Sequence, residues 1–495
     1  MGYYYFSVDS AAILVLFLVI SSRTLVQSNE EGYISFEISN KGLEFVKDLL
    51  IEKAETSLVP LELPKIEKNL RIPLIGRVHM EVSNVTIYKV HVTSSIVKTG
   101  DSGILIDVAG ATANLTLHWR YSYSTWLLPI LISDNGQAKV QVEGMEVGLS
   151  LGLKNQQGSL KLSLLDCGCY VKDLSIHLDG GASWLYQGLI DAFKDKIASA
   201  VENAVSKKLG DAIEDLDRLL QSVPKEVSID NIADLNVTFI GDPKLSNSSL
   251  ELEINGLFSP KDKTAVSNLR HENVQVPFSC KGPSRMVGIS VHENVLESAS
   301  TVYFEANKMH WIVDKLPDQN LMNTAGWKFI VPRLYKQYPN DNLNLNISVY
   351  STPLLKIGER QVDATIPLEV IIDVLDACQV VPVACISVVI SAAAYPEISS
   401  NALAGSVKLN EFTMSQKWSK IGNFHMHLIQ PVISTFLRTI VLPYINLKLS
   451  KGFPLPIFHG YGLRNTQLLC TDSRLMICSD VASIETAQPH LVPVL

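Results

Sequence analysis

SWLYQGLIDAFKDKIASAVENAVSKKLGDAIEDLDRLLQSV, residues 183–223, is the longest uninterrupted periodic signal in the chain. Its apolar positions, Leu185, Leu189, Phe193, Ile197, Val201, Val205, Leu209, Ile213, Leu216 and Leu220, recur at three- and four-residue spacing, which is one stripe of an α-helix. Roughly forty residues at about 1.5 Å each make a rod on the order of 60 Å. Gly210 is expected to bend or interrupt it. Pro224 ends it, because proline lacks the backbone donor and clashes with the turn before it. No sustained heptad with flanking charge pairs marks a coiled-coil partner, so the stripe is expected to lie on a sheet, either as the wall of a groove or as sealed core.

Upstream, residues 38–60 carry a shorter helical stripe, Leu43, Val46, Leu50, Ala54 and Leu58, ended by Pro60. Between the two helices the period drops to two. Val78, Met80 and Val82 alternate, as do Tyr88, Val90 and Val92; then Met145 through Leu153, Leu160 through Leu164, and Leu174 through Leu178. The runs Gly100-Asp101-Ser102-Gly103 and Asn135-Gly136 read as the turns of antiparallel hairpins. The first half is thus helix, meander, long helix. Past Gly256 the chain turns polar and aperiodic up to about Arg285, a linker signal. A helical stretch over 292–308, strands such as 343–349 and a second long helical stretch over 424–449 then repeat the order, with kinks expected at Pro431 and Pro443. The boundaries that follow are 1–28, 29–255, a linker over 256–285, and 286–495.

The 495 residues suffice for two large domains, and 47% hydrophobic with 19% charged residues describes a globular, rather apolar chain. Residues 11–20 (AAILVLFLVI) form an apolar core too short to span a bilayer, followed by a polar region ending at Ser28, and read as a cleaved secretory signal. The expected location is extracellular. Cleavage removes Asp9 and Arg23 together, so the net charge stays at −8, which disfavours a cationic nucleic-acid binder. Sequons at Asn84, Asn114, Asn236, Asn247 and Asn346 offer glycosylation sites. Cysteines number 7, an odd count, and Cys470 with Cys478 is the pair easiest to close in an oxidising compartment.

Motifs that carry chemistry are few. Gly100–Gly103 resembles a serine-protease nucleophile run, yet the strand-like Ile104-Leu105-Ile106 follows, and a hairpin turn accounts for it. Gly148-Leu149-Ser150-Leu151-Gly152 matches a nucleophile elbow, but the alternation of a strand runs straight through it. Cys167-Gly168-Cys169 and His425-Met426-His427 lack a second ligand pair, so no metal or other cofactor is expected, and no enzyme. What stands out is WRYSYSTW, residues 119–126. Read as a strand-turn-strand tip, it sets exposed Trp119, Tyr121, Tyr123 and Trp126 beside Arg120, a membrane-interface pattern; read as a buried hairpin, its rings are core. Lys65, Lys68 and Arg71 lie in a neighbouring Pro-bounded loop, diluted by Glu62 and Glu67.

The segments 234–239 (DLNVTF), 288–290 (GIS), 332–340 (PRLYKQYPN) and above all 451–456 (KGFPLP) resemble the bactericidal/permeability-increasing and lipopolysaccharide-binding protein family, over about residues 38–482, and most closely its plant branch. The resemblance implies an α+β fold: two tubular lipid-binding domains joined as an elongated boomerang, each a twisted antiparallel sheet wrapped round one long and one short helix. It implies a non-enzymatic binder of lipopolysaccharide, phospholipid or a related amphiphile at a bacterial or host membrane surface, in innate immunity. A phospholipid or sterol carrier is the alternative within binding functions, and a secreted lipid hydrolase the alternative of another class. Groove walls would be Leu43, Val46, Leu50, Leu189, Phe193, Ile197 and Val201 in the first half and Ile429, Ile433 and Leu437 in the second; Lys65, Lys68, Arg71 and the aromatic run would form the tip. The family joins a strand cysteine to one in the first long helix, but residues 183–223 contain none, so Cys167 and Cys169 lack that partner. Oligomeric state is left open.

Overall fold

The computed structural model describes residues 32–72, 76–100, 103–124, 130–179, 183–262, 285–315, 319–376, 379–399, 402–454 and 461–483. The signal-like segment 1–28, the Asp101-Ser102 turn, Trp126 and most of the expected linker lie outside them. The chain divides into two compact units, one comprising Ile38–Val223 with Gly241–Glu251, the other taking Pro224–Ile240 and everything described from Leu252 onward. That division runs elsewhere than the sequence boundaries at 255 and 286. Within the expected linker, Phe258–Pro260 is a strand paired with Ala233–Asn236.

In the first unit, helix α1 (Asn40–Ser57) is capped by Ser39, whose Oγ accepts from Gly42 N–H at 3.3 Å. Then come strands β1 (Leu61–Leu63), β2 (Ile66–Ile72), β3 (Gly76–His91), β4 (Ser94–Gly100), β5 (Gly103–Ser124), β6 (Leu131–Gln156), β7 (Ser159–Tyr170) and β8 (Asp173–Asp179), and helix α2 (Ser183–Gln221). The 8-stranded antiparallel sheet has the spine β1-β3-β5-β6-β7, with β2 on β3, β4 on β5 and β8 on β6. Strands of 22 and 26 residues cannot stay flat. Register shifts between Ser83 and Thr86 of β3 and between Val108 and Ala111 of β5 curl the sheet, and Asn84 (φ 51°) and Gly110 (φ 72°) hold the left-handed backbone those bulges use. The curled sheet closes on α2. Phe193, Ile197, Val201 and Val205 are buried in one core with Ile87, Leu115 and Val140.

The expected helix over 183–223 is thus a single helix of 39 residues. Gly210 does not interrupt it: a Cβ there would stand 3.7 Å from Leu164 Cδ2, so the helix rests on β7, and that packing outweighs the roughly 1 kcal/mol by which glycine is disfavoured. The Asn135-Gly136 turn is overturned. Both residues lie inside β6, opposite Arg120 and Trp119 of β5, because the register set by the buried face of a long strand overrides a two-residue turn preference.

The second unit opens with a three-stranded sheet of β9 (Glu226–Ser228), β10 (Ala233–Asn236) and β11 (Phe258–Pro260). Next are β12 (Val287–His292), helix α3 (Glu293–Glu305), β13 (His310–Val313), two 3-10 turns (Gln319–Met322 and Thr324–Trp327), α4 (Pro332–Gln337), β14 (Asn342–Val349), β15 (Leu354–Ile357), β16 (Val362–Asp376), β17 (Gln379–Ser399) and β18 (Ala402–Ser419). A helical run follows: α5 (Met426–Phe436), a π-helical stretch (Leu437–Val441) and α6 (Leu442–Leu449). Pro431 lies inside α5 and Pro443 opens α6, so the expected disturbance takes the form of a π segment that re-pairs the backbone ahead of the missing donor. The last strands are β19 (Phe453–Pro454), β20 (Tyr461–Thr471) and β21 (Arg474–Ser483). The large sheet runs β13-β14-β16-β17-β18-β19 with β15 on β16, so helix, meander and long helix recur in this unit.

The Cys470–Cys478 pair is not formed. Cys470 is a free thiol opposite Leu475, whereas Cys478 faces Gln467 across the same hairpin and is itself disulfide-bonded. An offset of three residues along paired strands is about 10 Å, beyond the roughly 7 Å a disulfide can bridge. Cys167 and Cys169 are free thiols too. They face α2 where it presents Ser206, whose carbonyl oxygen is 3.8 Å from Cys167 Sγ, and Glu202.

Candidate lipid-binding surfaces

Across four strands of the first unit, Ile87, Leu115, Val140 and Ile176 stand side by side, the first three buried and Ile176 packed against them. Phe193, Ile197 and Val201 close on this wall with at most 3% exposure. Residues expected to line a groove therefore form sealed packing as described. On α1, Leu43 is buried and Val46 and Leu50 are half-buried; the side chain of Leu189 lies outside the described residues.

The aromatic run is mostly core as well. Trp119 is 5% and Tyr121 7% exposed, both packed in the core of the first unit, with Trp119 Nε1–H donating to Gln137 O at 3.1 Å. Their rings stack at 6.0 Å, and Tyr121 stacks on half-buried Tyr123 at 6.2 Å. An exposed tip containing Trp119 and Tyr121 is thus corrected: Leu115, Leu117, Trp119 and Tyr121 alternate along β5 and all point inward. Arg120, on the other face, is exposed.

The end of this sheet carries a different constellation. Arg71 and Arg77 face each other across β2 and β3, and one step from the Val78–Tyr123–Ile132 row the exposed Leu131 begins β6. Ile130, Leu131 and Ile132 are exposed by 62, 67 and 43%. Sequence reasoning passed over Arg77 and these three; the apolar run that continues beyond Pro129 was their signal. Lys65 is exposed, but its ammonium lies 2.7 Å from Glu67 and 3.0 Å from Glu81, so its charge is spent locally. Lys68 is half-buried. Glu67, Glu81 and His79 bring ligand atoms within 4.8 Å of one another, a cation-like geometry that Lys65 occupies with its own charge.

A polar cleft of about 470 Å³ lies between α1 and the β3–β4 turn, lined by Lys47, Asp48, Glu52, Glu55 and His91 among others. Lys47 is buried. Burial opposes its charge, but the hydrogen bonds it donates to Glu44 and Asp48 outweigh that and leave its pKa raised. With Ser95 O at 3.0 Å as a third acceptor, it ties helix to sheet.

The second unit is built otherwise. Rows Leu368–Val388–Met414 and Ile366–Ile390–Phe412 run across β16, β17 and β18 on one face, and Glu369–Ser387–Ser415 runs on the other. Met414 packs with Ile429 and Ile433 of α5, so the apolar rows are the face turned to the helical run. Yet of these six side chains only Val388 is buried. The run Met426–Leu449 is long and apolar enough by length and composition to cross a membrane, and only 6% of its apolar window is buried. Ile429 and Leu437 are buried, Ile433 half-buried, while Tyr444, Ile445, Leu447 and Leu449 stand out in solvent. Asn446 pins α6 to the sheet, its Oδ1 accepting from Val407 N–H at 2.7 Å and its Nδ2 donating to Val407 O at 3.2 Å. The helical run is thus held at both ends, by Ile429 in the core and by Asn446 on β18, over apolar rows that stay half covered.

Among the described residues, the remaining motifs sit in or beside regular strands and helices. Ser150 lies in mid-β6, opposite Asp166 and Leu105. Burial, reinforced by Glu202 and Cys167, pushes the Cys169 thiol up to about 12, so it stays protonated and poorly nucleophilic. His425 and His427 are exposed, their rings 5.7 Å apart. Among the sequons, Asn84 and Asn247 are exposed, and Asn114, Asn236 and Asn346 half-buried; Asn346 Oδ1 lies 2.7 Å from His310 Nε2.

Comparison with known proteins agrees along the whole described chain. The N-terminal-domain model of the LBP / BPI / CETP family matches residues 42–223, and the C-terminal-domain model matches residues 227–483. A BPI/LBP family protein of Arabidopsis thaliana is 50% identical over 476 residues, 96% of this chain and 98% of that one. The lipopolysaccharide-binding protein of Bos taurus is 26% identical, covering 92% and 93% respectively. A crystal structure of lipopolysaccharide binding protein superposes with a TM-score of 0.63 at 19% identity over 92% of this chain and 100% of that one, which establishes the shared fold.

Proposed function

The chain belongs to the LBP / BPI / CETP family, and on that premise we propose that it is a secreted, non-enzymatic lipid-binding protein that holds acyl chains of lipopolysaccharide or a related amphiphile. The observation that carries this reading is the helical run 426–449, 6% buried in its apolar window, lying over half-covered apolar rows and leaving Tyr444, Ile445, Leu447 and Leu449 exposed. Burying a chain of about fourteen methylenes is worth on the order of 10 kcal/mol at about 0.8 each. Arg71 and Arg77 at about 1 kcal/mol each near an anionic surface contribute less. Apolar contact holds the ligand; charge steers it. Ile429, Ile433 and Leu437 form the seated wall of the groove. In the first unit, Phe193, Ile197 and Val201 line a ligand space only if α2 separates from the sheet. Arg71, Arg77 and the exposed Ile130–Ile132 run are the membrane-facing tip there.

Innate-immune recognition of lipopolysaccharide at a bacterial surface is the role we assign, with movement of phospholipid or sterol between membranes as the alternative the same groove would serve. Lipid extraction and mass spectrometry of the purified protein, paired with binding to lipopolysaccharide aggregates and transfer between labelled vesicles, tests both. Co-purifying acyl lipid with lipopolysaccharide binding and no accelerated transfer supports recognition. Accelerated transfer supports the carrier. Protein free of lipid and indifferent to lipopolysaccharide would refute the proposal.

A further inference from the structure

Phe329 is the most exposed large apolar side chain among the described residues, 83% accessible, and the groove makes no use of it. It follows the 3-10 turn Thr324–Trp327, and its neighbours Trp327, Ile330 and Val331 pack into one core with Val374 and Val381. Those two valines face each other across the β16–β17 hairpin, and the next pair outward, Leu375 and Val380, is exposed as well, Val380 by 60%. The turn is tied to the same end of the sheet by Thr324 N–H donating to Asp341 O at 2.9 Å, just before β14 begins. Phe329 and the hairpin tip therefore share one end of the second-unit sheet.

The charge around them is basic. Lys328 Nζ lies 4.8 Å from the centroid of the Phe329 ring. Arg333 and Lys336 are exposed on α4, and Lys420, exposed at the end of β18, donates its backbone N–H to Val383 O at 2.8 Å, beside the same core. Among the described residues, exposed Asp376, half-buried Asp341 and buried Asp373 are the acidic residues of this end, and Asp314 and Lys315 at the close of β13 offset each other. In a chain of net charge −8, a local excess of cations around bare apolar side chains is complementary to an anionic lipid surface.

We infer that this end of the second unit is a membrane-docking tip for anionic phospholipid bilayers, with Phe329, Leu375 and Val380 entering the headgroup boundary and Lys328, Arg333, Lys336 and Lys420 meeting lipid phosphates. The inference goes beyond carriage of lipid in the groove, because docking is read from vesicle binding and carriage from lipid extracted from soluble protein. The test is co-sedimentation of the full chain with phosphatidylcholine vesicles containing phosphatidylglycerol, and with phosphatidylcholine alone. Phe329→Ser with Val380→Ser lowers partitioning onto the anionic vesicles by about tenfold or more, and Lys328→Gln with Lys336→Gln by about fivefold per lysine at low salt. Extracted lipid and melting temperature stay at wild-type values. Phe329→Trp, with the wild-type signal subtracted, gains fluorescence that brominated lipid quenches. Wild type that ignores anionic vesicles, variants that bind as wild type does, equal binding to pure phosphatidylcholine, or Phe329→Trp fluorescence that brominated lipid leaves unquenched would each overturn it.

Discussion

Ile197 and Val201, in the middle of α2, are as buried as any side chains in the first unit, whereas Tyr444 and Leu447 of the second long helical run stand more than half exposed. Composition explains the contrast. Helix α2 alternates its apolar stripe with Lys194, Asp195, Glu202, Lys207, Asp211, Asp215 and others, so one face enters the sheet and the other is solvated. The run 426–449 has Arg438 and Lys448 as its only Lys, Arg, Asp or Glu residues. Its first half still turns a polar face outward, at Gln430, Thr435, Arg438 and Thr439, but over 444–449 Tyr444, Ile445, Leu447 and Leu449 are exposed, apolar surface that has no protein partner among the described residues. Two helices in the same architectural position thus serve different ends: one fills a core, the other leaves apolar surface exposed.

Breaking this comparison at α2 should have the largest effect. Ile197→Asp puts an unpaired carboxylate into packing that leaves the side chain 1% exposed, and we predict a loss of about 4 kcal/mol or more, seen as a collapsed melting transition and failed expression. Trp119→Ala should cost about 3 to 5 kcal/mol by chemical denaturation, as for a truncated core aromatic; a change below about 1 kcal/mol would return the ring to the surface. Across the comparison, Leu447→Ser with Tyr444→Ser should leave stability within about 1 kcal/mol while lowering the acyl lipid recovered per protein. If those two changes unfold the second unit, α6 is core and the contrast fails.

The smallest effect is a pH-dependent one that sharpens how the second sheet treats its two faces. Asp373 is 7% exposed, on the face opposite the apolar rows, beside Asn344, whose buried Oδ1 has no hydrogen-bond partner among the described residues. Burial raises the Asp373 pKa. A carboxyl whose pKa rises on folding binds its proton more tightly in the folded state, so stability falls as pH climbs from the unfolded value to the folded one and stays lower above it. Asp373→Asn removes that penalty and offers Asn344 a donor. The variant should therefore melt slightly above wild type at neutral pH, with the difference shrinking as pH drops below the ordinary aspartate range. An advantage that does not depend on pH would assign the gain to the new hydrogen bond alone.

Much of this was readable in the letters, and the failures are instructive. The stripe over 183–223 appears as α2 at Ser183–Gln221 because a long amphipathic period is reinforced by the packing it creates. Ser150 lies in a strand, as the alternation through it required. Local signals fared worse. Asn135-Gly136 is a turn dipeptide in a place where register leaves no turn, and Trp119 and Tyr121 drew attention as a cluster although Leu115, Leu117, Trp119 and Tyr121 alternate as one buried face. The half-open face of the second sheet was not legible at all. Its residues are as apolar as core, and only register and burial show that the helix above them leaves part of that face uncovered.

The central claim is that hydrocarbon occupies the space beneath the helical run 426–449. Photo-crosslinking with a phospholipid or lipid A analogue carrying a diazirine on its acyl chain, followed by peptide mapping of the full chain, reads that directly. The account predicts adducts within 426–449 and on the facing strands at Ile366, Leu368, Ile390, Phe412 or Met414, and few on residues 193–221. Adducts confined to 193–221, with 426–449 unlabelled, would contradict it.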